Sequence, residues 1–186
     1  MNDTDVQTRA VGRRLRRLRE AQGVSLSELA RRAGIGKATL SGVEAGTRNP
    51  TLETLYAVTA QLGVPLATVL TDGETPGATP AEVRGSAVVG TLLQVFEEAT
   101  TTYELYRLRI VPGTAQVSPA HHAGVTEHLT VFRGVLRAGP LDAPLVAGPG
   151  EHISWRSDVP HGYAVLGDEE VHASLLVRSP ATADPA

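Results

Sequence analysis

Cysteine is absent from the 186-residue chain, which excludes disulfides, thiolate metal sites and cysteine nucleophiles. Long apolar runs are absent as well. No stretch approaches the roughly eighteen apolar residues that span a membrane, and the polar N-terminus carries no apolar segment of signal-peptide length. A soluble cytoplasmic protein with no membrane partner is the expectation. At this length the chain forms one large domain or two small ones, each with its own core. Acidic residues are scarce only at the front. Residues 1–70 hold ten lysines and arginines against six acids, a net of +4, whereas residues 71–186 hold seven against fourteen, a net of −7. A basic half suits a phosphate-facing surface, although an arginine-rich helix can equally be a solvated face.

The most informative stretch lies in that basic half. From Val24 to Gly46 the chain reads V-S-L-S-E-L-A-R-R-A-G-I-G-K-A-T-L-S-G-V-E-A-G. Leu26, Leu29 and Ala30 recur at helical spacing behind Ser25, an N-cap residue type, and Glu28 three residues later fits a capping box. Gly34 supplies the positive backbone angle of a sharp exit. A second helix is predicted from Lys37 to Ala45, with Leu40 and Val43 facing inward. Two short helices across a tight turn are how a helix-turn-helix projects its second helix into a major groove. A plain helical hairpin shares the apolar spacing but has little reason to keep Lys37, Thr39, Ser41 and Gly42 off the apolar stripe.

Around these two, a first helix is predicted over Thr8 to Ala21, its stripe made by Val11, Leu15 and Leu18. A fourth follows Asn49-Pro50 with Thr51 near its cap, and a short fifth starts at Pro65, a favourable first-turn residue. Together these residues resemble the phage-repressor or xenobiotic-response-element (XRE) family of DNA-binding domains. The resemblance rests on V-S-L-S-E-L-A, L-S-G-V-E-A-G, N-P-T-L-E-T-L from Asn49 to Leu55 and L-G-V-P from Leu62 to Pro65, in the family's order over about the first seventy residues. It implies base contacts near the start of the recognition helix and about one turn in. Lys37, Thr39, Ser41 and Arg48 are the contact candidates, with Ala38 and Gly42 on the same surface and Ser25 and Asn49 flanking it. Gly36 and Gly42 leave few side chains for bidentate base contacts, so specificity is expected to lean on phosphate positioning and DNA shape. The resemblance also implies an ion pair between Arg19 and Glu44 that fixes the angle between two helices.

Residues 71–85, T-D-G-E-T-P-G-A-T-P-A-E-V-R-G, are rich in Gly, Pro and Thr and read as a linker or a poorly ordered approach to a strand. Beyond them the pattern turns alternating. Strands are predicted over Val88–Phe96, Thr102–Val111, Glu127–Phe132, Val135–Ala138, Glu151–Trp155, Gly162–Leu166 and His172–Val177, punctuated by Gly and Pro turns. Short, evenly spaced strands point to a sandwich or barrel. The expected fold is α+β and multidomain: a five-helix helix-turn-helix domain over 1–70, a linker over 71–85 and an all-β barrel over 86–180.

All six histidines fall in the β half. The segments from Pro112 to Gly134 and from Gly150 to Glu170 resemble the two signatures of the cupin, or double-stranded β-helix, barrel. His122, Glu127 and Gly134 match the spacing of the first signature, and Gly150, Glu151 and Val159-Pro160-His161 match the second. Ala120 stands where the first signature histidine belongs. His121 has the opposite strand parity and is expected to point away from the interior, unless an irregularity before Gly124 swings it inward. His122, Glu127 and His161 make a set of two histidines and a carboxylate, as in facial-triad iron sites, with Tyr163 as pocket wall. The expectation is a pocket that binds an organic effector without firmly held cofactor. Iron, manganese, nickel or zinc on His122, Glu127 and His161 is the alternative.

The pairing of halves resembles XRE-family regulators with a cupin sensor. It implies a homodimer on a pseudo-palindromic duplex operator and a small-molecule effector. Two further readings share the architecture: a mononuclear-iron epoxidase that joins the same two domains, and a regulator whose effector is the metal itself.

Overall fold

The chain opens on α1, Asp3–Ala21. It starts ahead of the expected Thr8, because no glycine or proline interrupts the preceding residues. The structure, a computed structural model, describes residues 3–71 and 81–180, with side chains from residue 6. Four short helices follow: α2 (Leu26–Arg32), α3 (Lys37–Glu44), α4 (Leu52–Leu62) and α5 (Ala67–Leu70). Leu15, Leu29, Leu40, Val43 and Leu55 are fully buried and form the core of this bundle. Gly12 sets how closely α1 approaches α3, since a Cβ there would lie 2.2 Å from the Val43 carbonyl oxygen. Any side chain at position 12 would push α3 outward. The Ser25 hydroxyl accepts the Glu28 N–H at 3.2 Å, but the Glu28 carboxylate turns to Arg31 and Arg32 at 2.7 and 2.8 Å. The capping box is therefore half formed. Two guanidiniums outbid the N-cap amide for that carboxylate and hold its pKa near 2.

The rest of the described chain is antiparallel β structure: β1 (Glu82–Arg84), β2 (Val88–Glu98), β3 (Thr101–Ile110), β4 (Ala115–Ser118), β5 (Thr126–Arg133), β6 (Leu136–Pro140), β7 (Leu145–Ala147), β8 (His152–Arg156), β9 (His161–Val165) and β10 (Val171–Pro180). They form a six-stranded sheet in the order β1-β2-β3-β10-β5-β8 and a four-stranded sheet in the order β4-β9-β6-β7. This is the cupin arrangement, with neighbours in each sheet drawn from distant parts of the sequence. Leu129, Val131, Leu136, Ala147 and Val171 are wholly buried between the sheets, as alternation along half-buried strands requires. Strands β1, β4 and β7 had no counterpart in the sequence reading, because three or four residues carry too little alternation to show. Residues 72–80 of the expected linker lie outside the described residues. Its end is not loop but β1, paired with β2 through Glu82↔Thr91 and Val83↔Gly90.

The helical half rests directly on the β half. Glu104 of β3 is fully buried; its carboxylate accepts the Ala67 N–H of α5 and, at 3.1 Å, the Tyr106 hydroxyl. Glu53 of α4 accepts the Ser86 N–H at 2.9 Å. Tyr56, one turn further along α4, reaches His121 with ring centroids 4.3 Å apart. None of these long-range contacts leaves a local sequence signature.

Candidate functional site

Two surfaces carry chemistry. The first is the exposed face of α3. Lys37, Ala38 and Ser41 are exposed on it, and Thr39 and Gly42 are half-buried. Arg48 and Asn49 continue this face into the loop that follows. Gly42 lacks the Cβ that would crowd the Arg48 stem at 3.3 Å, so Arg48 folds back over the helix and its guanidinium donates to the Thr39 hydroxyl at 3.4 Å. Thr8 donates to the Asn49 amide oxygen at 3.2 Å, tying this loop to α1. Ser25 is exposed beside the surface with its oxygen engaged as the α2 cap.

Behind this face, the Arg19 guanidinium grips Glu44 through two hydrogen bonds of 2.7 Å each and donates a third to the Val24 carbonyl at 3.0 Å. Only 11% of the Arg19 side chain and 7% of the Glu44 side chain are exposed. The fork-to-carboxylate geometry holds α1, the start of α2 and the end of α3 in one fixed relation.

The second surface is interior. Glu127 on β5 and His161 at the start of β9 are both completely buried. The histidine that joins them is His121, not His122. Its Nε2 lies 2.8 Å from one Glu127 oxygen, and His161 Nε2 lies 3.2 Å from the same oxygen without an aligned hydrogen bond. Tyr163 donates to the other Glu127 oxygen. The parity argument failed because it holds only inside a strand. β4 ends at Ser118 and β5 begins at Thr126, so His121 sits in a loop. That loop is stitched to the segment before His161. His121 donates its N–H to the Ser157 carbonyl at 2.9 Å, and Gly124, at φ +83°, donates its own to the Asp158 carboxylate at 3.1 Å. Pro119 and Gly124 were the signals that the strand had ended. His122 is half-buried with both ring nitrogens unpartnered, and burial lowers its pKa.

The electrostatics follow from burial in company. Burial alone would push the Glu127 carboxyl up, but the charge of His161 and the hydrogen bond and charge of His121 outweigh it and hold the group below its ordinary range. Burial would push His161 down, yet the Glu127 carboxylate raises it. Burial, then the Glu127 charge, pushes Tyr163 well above its ordinary value, so it remains a phenol and a donor. His161 Nδ1 donates to the Val159 carbonyl at 2.9 Å, which fixes the ring and turns Nε2 inward toward Glu127. The ligand atoms of His121, Glu127 and His161 lie within 4.8 Å of one another. Two imidazoles and a carboxylate are donors suited to iron, manganese, nickel or zinc. The Ser118 hydroxyl and the Trp155 indole N–H are also buried without a partner.

The helix-turn-helix family HTH_3 matches residues 15–69. The transcriptional regulator SutR of Escherichia coli strain K12 is 29% identical over 166 residues, 89% of this chain and 93% of its own. The regulator RghRB of Bacillus subtilis strain 168 is 30% identical over 120 residues, covering 64% of this chain and 79% of its own. The chain belongs to the helix-turn-helix transcriptional regulators. A crystal structure of an HTH_3 family transcriptional regulator from Vibrio cholerae, 25% identical, covers 95% of this regulator and 99% of its own chain at a TM-score of 0.76. The two-part architecture of this regulator is therefore shared along its whole length. Among the described residues, no helix is long and apolar enough to cross a membrane.

Proposed function

We propose that this regulator acts in the cytoplasm as a homodimer on a pseudo-palindromic duplex and senses a small organic molecule at the His121–Glu127–His161 cluster. The observation that carries the sensor reading is a buried, polar-lined site seated directly beneath α4, a helix of the DNA-binding bundle. His161 Nε2, the Ser118 hydroxyl and the Trp155 indole N–H are unspent there, and buried polar atoms without partners mark a place built for something else. Exposed Phe132, Leu93 and Phe96 supply apolar surface for pairing. Pairing would set two recognition helices about one helical turn, roughly 34 Å, apart. In this reading the β half is a sensor and the protein is not an enzyme.

Replacing Lys37 or Arg48 by alanine is expected to weaken duplex binding severalfold and to flatten the dependence of log affinity on log salt by about one unit each. Ser41 variants are expected to change which sequence is preferred. Fluorescence anisotropy over a salt series checks both. Unchanged affinity in the Lys37→Ala, Arg48→Ala double variant would remove the assigned DNA face.

A second reading, in which a divalent metal is part of the sensed species, is favoured by the convergence of three ligand atoms and by the His161 Nδ1 anchor. When bound, such an ion would supply Lewis acidity and open coordination positions for a ligand. Elemental analysis of protein purified without chelator separates the readings. Little metal is expected for an organic sensor. Near-stoichiometric iron, manganese, nickel or zinc, lost on His121→Ala or His161→Ala, would put the metal reading first.

A further inference from the structure

A residue of the helical half, Tyr56, packs against His121 of the buried cluster in the β half. The His121, Glu127 and His161 side chains are each at most 6% exposed, and the interior space beside them, between α4 and the sheets, which Tyr56, Ser118 and Tyr163 line but the three cluster residues do not, amounts to about 10 Å³, room for a single water molecule. Pockets that hold small organic ligands run to roughly 300–1,000 Å³. The site is therefore chemically equipped and sterically shut. Strands β1, β2, β3, β4, β9 and β10, which supply the rest of the wall, belong to hydrogen-bonded sheets and cannot recede without breaking ladder bonds. The removable wall is the helical one.

We infer that Tyr56 is the gate of the sensor site: its ring seals the cavity over His121, and a ligand that occupies the site displaces Tyr56 and with it α4. This rests on the reading of the His121–Glu127–His161 cluster as a ligand site. Three observations carry it. The Tyr56 ring contacts His121 at 4.3 Å between centroids, and His121 in turn lies 5.0 Å from His161, so the gate touches the cluster itself. Tyr56 is 8% exposed, although it leaves the helical bundle to reach the β half. On the same helix, Leu55 is buried beside Val11 and Leu70 of the bundle, so α4 cannot shift without carrying the bundle along. Polar ties across this boundary include the Glu104–Ala67 and Glu53–Ser86 hydrogen bonds, set within apolar packing shared by both halves. A ligand that binds only the withdrawn state shifts the population of bundle positions, and DNA affinity must respond by the same coupling free energy.

The chain carries its own reporter. Its single tryptophan is Trp155, 7% exposed, with its ring 6.3 Å from His161 and 6.0 Å from Tyr163. Acrylamide quenching of Trp155 in the full-length protein reads whether the site is open. The intact protein and Tyr56→Phe, which keeps the ring, should resist quenching equally. Tyr56→Ala should quench severalfold more readily, and p-cresol, the side-chain analogue of tyrosine, should restore protection by refilling the hole. Tyr56→Leu, which keeps apolar bulk for the bundle but loses the ring over His121, serves if the alanine variant does not fold. A folded alanine or leucine variant that quenches like the intact protein would overturn the gate. So would quenching that p-cresol leaves unchanged, since that marks general loosening. Failure of DNA binding or of effector response would count against the proposed function and leave the quenching result to stand separately.

Discussion

Arg19→Ala is expected to destabilise the helical half by about 3–5 kcal/mol, the cost of leaving one member of a buried ion pair alone. Glu44→Ala should cost nearly as much. Arg19 would then keep its bond to Val24 and a longer contact to Glu20 at 3.6 Å. A surface pair would lose about 1 kcal/mol or less, so magnitude alone separates the two cases. The functional loss should exceed the thermal one, because the pair fixes the angle at which α3 leaves α1. A double-mutant cycle on thermal or denaturant unfolding gives the coupling, and a value near zero would show that the pair holds nothing in place.

Glu104→Gln is expected to stabilise the protein at pH 8 and to do nothing at pH 4. Burial raises the Glu104 carboxyl to about 7, against the hydrogen bonds from Ala67 and Tyr106. Tyr106 and Tyr56, both uncharged because burial raises them, and the Glu127 carboxylate are the other titratable groups that act on it. The packed state thus holds a proton that the unfolded chain releases near 4.5. Below that value both states are protonated and the contribution is whole. As pH rises from about 4.5 to 7 the unfolded state ionises first and stability is lost, and above 7 the loss is constant at roughly 3 kcal/mol. Glutamine keeps one oxygen to accept both bonds and carries no charge to desolvate. The difference in melting temperature between variant and parent, followed from pH 4 to pH 8, should therefore open through that window. Parallel curves would mean that Glu104 is already ionised where it sits.

The helical half was legible because periodicity and punctuation agree there. Leu26, Leu29, Leu40 and Val43 repeat at helical spacing, and Gly34 and Gly46, both at positive φ, end their helices where the sequence stops them. Glu127 and His161 were legible through the spacing of the two segments that resemble the cupin signatures, which placed them on or beside strands β5 and β9. His121 was misplaced because alternation was carried through Pro119–Gly124, a loop whose direction is set by hydrogen bonds to Ser157 and Asp158, residues more than thirty positions away. Tyr56 read as one more apolar position of α4. Nothing in its neighbourhood distinguishes a side chain that fills its own bundle from one that reaches across to another. The missed strands β1, β4 and β7 are of three or four residues, stabilised by their neighbours rather than by any pattern of their own.

The proposed function depends first on the basic half reading specific DNA. The most direct measurement is selection of bound duplexes from a random-sequence library by the purified full-length protein at low salt. Enrichment of a motif with two related half-sites about one helical turn apart is expected, lost in the Lys37→Ala, Arg48→Ala double variant. A folded protein that retains duplexes without enriching any sequence, or retains none, would contradict it.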